Sequence, residues 1–107
     1  MNKLRRKSIY NVIQKLEKIL NNLNDVNLIK IINGIIDEIQ SILDEEECVL
    51  YNIPENLQNS FRYEESENAC DCLSDAVSEL EDIDEGCSQE DVRSYILSSI
   101  QYLENSI

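Results

Sequence analysis

The stretch LIKIINGIIDEIQSILDEEECVLYNI, residues 28–53, decides the fold. Apolar side chains recur at Leu28, Ile32, Ile35, Ile39, Ile42, Val49 and Ile53, with a parallel row at Ile29, Ile36, Leu43 and Leu50. Steps of three and four keep such residues on one side of a helix, so the stretch predicts a helix with an unusually wide apolar face. The second row widens that face enough to touch two neighbours, and the rest of the chain reads as what covers it. Asp44, Glu45, Glu46 and Glu47 interrupt the pattern, with Glu46 falling where a core residue is due. The helix is expected to leave the core there or to hold Glu46 at its margin.

Upstream, Ile9, Val12, Ile13, Leu16, Ile19, Leu20 and Leu23 define a first amphipathic helix over about 3–23. Continuing its phase would bring Lys30, Asn33 and Asp37 onto the core face, so the pattern breaks. The break falls in residues 21–27, five of which are Asn or Asp, side chains that compete with helical backbone bonds and cap new helices. A turn there folds the first helix back on the second, which spans about 26–52. Gly34 lies inside the second helix, away from the main stripe, where glycine costs about 1 kcal/mol relative to alanine.

Downstream, Pro54 biases Ile53 away from helix, and residues 53–59 read as a connection. A third helix, capped by Asn59 or Ser60, runs over about 60–85 with Tyr63, Cys70, Leu73, Val77 and Leu80 on its seam and Ala69 and Ala76 beside it. Gly86 suits a left-handed C-terminal cap, and Ser88 with Asp91 three residues on resembles a capping box. A fourth helix, about 89–105, buries Val92, Ile96, Ile100 and Leu103, with Tyr95 and Tyr102 at its margins. The expectation is one all-α domain over 1–107, a four-helix bundle of helical hairpins without strands.

With two Gly, one Pro and no Trp in 107 residues, a turn-rich β fold is disfavoured. Lys30, Asn33, Asp37 and Glu38 interrupt the greasiest segment, so no apolar run reaches the roughly 18 residues a membrane span needs. The basic start at Lys3, Arg5, Arg6 and Lys7 leads into an amphipathic segment rather than a signal peptide. A soluble, cytoplasmic protein is expected, with no membrane contact. Cys48, Cys70, Cys72 and Cys87 occur without a single His, and thiols two apart on a helix point about 200° apart, so reduced cysteines are expected rather than a zinc site.

No phosphate-binding, dinucleotide-binding or nucleophile-elbow motif is present, and nothing at helical spacing sets a nucleophile against a base. No catalysis, metal or cofactor is expected. Asp82-Ile83-Asp84-Glu85-Gly86 is no calcium loop, since Gly86 stands fifth where sixth is needed and the twelfth position is Arg93. Charge is the strongest signal: 22 acids oppose 9 bases for a net of −13. The first thirty residues carry seven of the bases and two acids, and the remainder two bases and twenty acids. Such a field repels nucleic acid and anionic membranes and attracts basic protein surfaces, although a solvated acidic coat would look the same. On the third helix Glu64, Asp71, Asp75 and Asp82 fall in a row of about 27 Å, comparable in spacing to DNA phosphates. The basic start is expected to pair with acids of the same chain or of a second copy.

Arg5-Arg6-Lys7, Asp44-Glu45-Glu46-Glu47 leading to Asn52-Ile53-Pro54-Glu55-Asn56-Leu57-Gln58, and Ser60-Phe61-Arg62-Tyr63-Glu64 with Ala69 and Leu73 together resemble a set of small acidic helical proteins of Gram-positive phages and mobile elements. The resemblance covers roughly 35–85 plus the basic start. Those proteins are shorter helical hairpins, and this chain departs from them by the segment around 21–33 and by its fourth helix. What the resemblance implies is context, since small acidic phage proteins often bind and block host defence machinery, CRISPR nucleases included. Two readings stand. In the first, Asp44, Glu45, Glu46, Glu47, Glu64, Asp71, Asp75 and Asp82 form a nucleic-acid-mimicking surface that docks on a basic, nucleic-acid-binding host protein. In the second, the chain is a homodimeric structural or regulatory module, whose wide stripe on the second helix exceeds what one narrow third helix covers.

Overall fold

Polar side chains just ahead of the apolar runs start three of the helices. Asn2 Oδ1 accepts the Arg5 backbone N–H at 2.8 Å, Ser60 Oγ that of Tyr63 at 3.2 Å, and Ser88 Oγ that of Asp91 at 3.1 Å. A computed structural model describes residues 1–57 and 60–107. Its helices are α1 (Lys3–Leu20), α2 (Leu28–Tyr51), α3 (Phe61–Glu81) and α4 (Gln89–Asn105), with one 3₁₀ turn at Glu55–Leu57. Among the described residues there is no strand, and no helix is long and apolar enough to cross a membrane. The all-α bundle is as the periodicity predicts. Gln58 and Asn59, the latter named as an alternative cap for α3, lie outside the described residues.

Three helix boundaries differ from expectation, each for a local reason. Helix α1 stops at Leu20, because Asn21 and Asn22 turn the chain with backbone bonds back to Lys18 and Ile19. Helix α2 starts at Leu28 rather than Val26, after Asp25 Oδ1 accepts the Asn27 N–H at 2.8 Å in a side-chain-closed turn. Val26 is left almost fully exposed. Helix α3 ends at Glu81, four residues early, so that Ile83 can turn into the core, where it is buried. Gly86 does not supply the expected left-handed cap, since none of the described residues has a positive φ. Asp84 closes that loop instead, its Oδ1 accepting the Gly86 N–H at 2.8 Å.

Each helix packs on two others: α1 on α2 and α4, and α3 on α2 and α4. Helices α1 and α3 therefore occupy opposite corners of a bundle that measures about 50 × 22 × 18 Å. The core is a continuous cluster from Ile9, Leu16, Ile32 and Ile39 to Leu73, Leu80, Ile96 and Leu103. Helix α3 runs close to both neighbours because small side chains line its inner face: Ser66, Ala69, Cys70 and Ala76 are all buried. Ser99 of α4 is buried against it, donating to the Ala76 carbonyl at 3.0 Å. The buried side chains of α1 are all Ile, Val or Leu, and the helix stands further from its neighbours.

This close seam makes volume at Ala76 and Leu73 consequential in both directions. Ala76→Leu should cost about 1–3 kcal/mol by forcing α3 from its neighbours, and Leu73→Ala about 2–5 kcal/mol through lost burial and a residual cavity. Urea unfolding followed by circular dichroism measures both.

Candidate binding surface and the buried ion pair

Glu46 does not belong to an exposed acidic surface. Its side chain is 1% exposed, on the inner face of α2. Arg5 Nε donates to Glu46 Oε2 at 2.7 Å and Ser66 Oγ to Glu46 Oε1 at 3.0 Å, so both carboxylate oxygens have partners. Three helices meet at this joint. Around it, Glu65 of α3 pairs with Arg6 at 3.9 Å and with the amino terminus of Met1 at 3.4 Å. Arg5 and Arg6 of the basic start are thus tied to acids of their own chain, whereas Lys3 and Lys7 form no ion pair among the described residues. The sequence carried a signal for this pair, because Arg5 continues the core phase of Ile9, Val12 and Leu16 just as Glu46 continues that of Ile39 and Ile42. Two opposite charges at core positions of adjacent helices are best read as partners.

The other acids expected to act together are divided by helical geometry. Glu45 turns toward α1, where it lines a groove with Ser8, Asn11 and Lys15. Glu47 turns toward α3 and lies beside Tyr51, whose hydroxyl donates to Glu47 Oε2 at 3.4 Å. The Glu47 charge raises the Tyr51 phenol pKa, and partial desolvation of the phenol and this hydrogen bond raise it further. Asp44 is exposed between these two directions and accepts from Gln40 at 3.1 Å. At about 100° per residue, Glu64, Asp71, Asp75 and Asp82 fall within about 20° of the direction opposite buried Leu73. All four are exposed, and none forms an ion pair among the described residues. Four of the eight predicted residues therefore form one straight edge, Glu47 lies on the side of α2 that faces α3, Asp44 is exposed on α2, and Glu45 and Glu46 are apart from the edge.

Charge is segregated between opposite corners of the bundle. Helix α1 carries six bases and one acid, whereas α3 carries seven acids and one base. The acidic side continues onto α4. Burial raises the Tyr95 phenol pKa, and the charges of Asp82, Cys87, Asp91 and Glu79 raise it further. Buried Cys70 sits beside Glu46 and Glu47, and burial followed by those charges pushes its thiol up to about 11. All four cysteines stand free, and among the described residues no three His, Cys, Asp or Glu side chains converge on a metal-sized site.

On the opposite side, α1 and α2 leave a groove of about 430 Å³ between them. Ile19, Leu28, Ile31, Gly34 and Ile35 form its floor, and Lys15, Lys18, Asn22, Asp25 and Glu38 its rim, with Lys15 paired to Glu38. The fold and these surfaces define a small all-α helical bundle with an acidic edge on α3 and an apolar groove between α1 and α2. Neither a protein-family model, nor a curated protein, nor a solved structure matches the chain.

Removing one member of the buried pair strands the other. Arg5→Met should cost about 3–5 kcal/mol by leaving the Glu46 carboxylate uncompensated, and Arg5→Met with Glu46→Leu should recover most of that loss in thermal unfolding. A second outcome concerns alkaline pH. The unfolded Cys70 thiol releases its proton near its ordinary value of 9.0, but the folded one holds it to about 11. Stability should therefore decline as pH rises from 9.0 toward 11, and the decline should be shallower in Cys70→Ala when urea midpoints are compared.

Proposed function

We propose that this protein is a non-catalytic inhibitor that docks the acidic edge of α3 on the basic, nucleic-acid-binding surface of a host protein, such as a CRISPR effector or other defence nuclease. The observation that carries this reading is the exposed row Glu64, Asp71, Asp75 and Asp82, which is free of ion pairs among the described residues. Its intervals are about 10.5, 6 and 10.5 Å along the helix, of the same order as the several ångströms that separate neighbouring phosphates of one DNA strand. A rigid row at such intervals can occupy Lys and Arg positions that otherwise hold phosphates. Like charges along one face destabilise the helix by a few tenths of a kcal/mol per close pair, a cost that contact with a basic partner would relieve. Asp44 and Glu47 extend the surface across α2. Arg5, Arg6 and Lys15 of α1 are held in ion pairs with Glu46, Glu65 and Glu38 and leave the row unpaired, and direct binding of nucleic acid to a chain of net −13 is disfavoured.

The test is capture of partners on the tagged chain from lysate of its natural host, followed by salt and DNA competition. A nucleic-acid-binding protein should be retained at low salt and released by high salt or by duplex DNA. A variant with Glu64, Asp71, Asp75 and Asp82 all changed to Lys should keep its helical spectrum and lose at least about tenfold in affinity for that protein, since each charge replaces a phosphate contact. Undiminished binding by the folded variant overturns the proposal.

A further inference from the structure

Gly34 has no role in the isolated chain. It sits in mid-helix, where glycine is a poor helix former, yet its φ is negative and a Cβ built on it would meet nothing within 4 Å. The bare backbone opens onto the α1–α2 groove, beside Ile31, a large apolar side chain left 39% exposed, and half-buried Leu28. A backbone without a side chain next to an unfilled apolar floor is the arrangement that lets a second helix approach closely.

Charge identifies the occupant. The groove is lined by two cations, Lys15 and Lys18, and two carboxylates, Asp25 and Glu38, so this surface is neutral in a chain of net −13. Two copies repel one another through their acidic α3 edges, and α3 does not line this groove. The surface is also complementary to itself, as a two-fold contact requires. Lys30 lies one turn before Gly34 and Glu38 one turn after, so an antiparallel crossing at Gly34 sets Lys30 of each copy against Glu38 of the other. We propose that a second copy of this chain docks here, the two α2 helices crossing at Gly34 with Ile31 of each copy entering the groove of the other. The contact is independent of the inhibitory reading, and it leaves the α3 edge of each copy facing outward.

Sedimentation of the full chain tests this, at about 0.2 mM, a concentration that populates a dimer of micromolar dissociation constant. The expected result is twice the 12.4 kDa chain mass, with association tightened by added salt because the dominant long-range term between copies is repulsive. Gly34→Glu, which points into open space in the single chain, should keep the helical spectrum and sediment as a monomer. Should Gly34→Glu fail to fold, Gly34→Ala serves instead, with a raised melting temperature at low concentration and weaker association than the natural chain. A monomer at every salt concentration overturns the proposal. So does a dimer that salt dissociates, which would mark α1 of one copy on α3 of another, or a folded Gly34 variant that associates undiminished.

Discussion

A carboxylate shut away from water has to be held by a counter-charge, and in this bundle that requirement fixes how the first helix sits. Glu46 is buried on α2, Arg5 of α1 neutralises it, and Ser66 of α3 takes its remaining oxygen. An apolar side chain at position 46 would pack against whatever surface came near, whereas the carboxylate accepts only donors at defined positions. Helix α1 otherwise touches its neighbours through interchangeable Ile, Val and Leu contacts, which resist sliding weakly. The ion pair supplies register where the apolar contacts do not, and it does so at the end of the bundle where α1 begins.

Charge separation across the molecule follows from that placement. Arg5 and Arg6 are taken up by Glu46 and Glu65, and Lys15 by Glu38. None of them pairs with the row from Glu64 to Asp82, which stays open along α3. The inner face of that same helix carries the small side chains that bring α2 and α4 close. Close packing inside and like charge outside belong together, because a helix carrying a repulsive outer face needs firm contacts on its inner one.

Apolar periodicity made most of this fold legible. The inner faces of all four helices follow from spacings of three and four, and the outward direction of Glu64, Asp71, Asp75 and Asp82 follows from the same geometry. Both depend only on residues a few turns apart. What stayed hidden was polar and buried. Ser66 and Ser99 read as surface residues because apolar pattern alone assigns polar side chains outward, and Glu46, although it falls where a core residue is due, groups by charge with the exposed acids; their partners lie 20, 23 and 41 residues away in the chain. Glu45 and Glu47 looked like one cluster with Asp44 because they are consecutive, but consecutive positions on a helix diverge by about 100°, so adjacency in sequence separated them in space. Helix ends were misjudged where a side chain closes a turn, as Asp25 and Asp84 do.

Gly34 joins the two surfaces of the molecule in one argument. A residue that weakens its helix, meets no neighbour and needs no special backbone conformation is unexplained by the fold of one chain. The acidic row on α3 poses the same difficulty in electrostatic form, since it weakens its helix without an intramolecular partner. Folding alone would favour Ala at position 34 and mixed charges along α3. Both departures lie on outward-facing surfaces, on different sides of the bundle, and contact with something outside the chain would relieve both. Under the two proposals a local rule is broken where the molecule would meet a partner, and the core would hold the two surfaces apart.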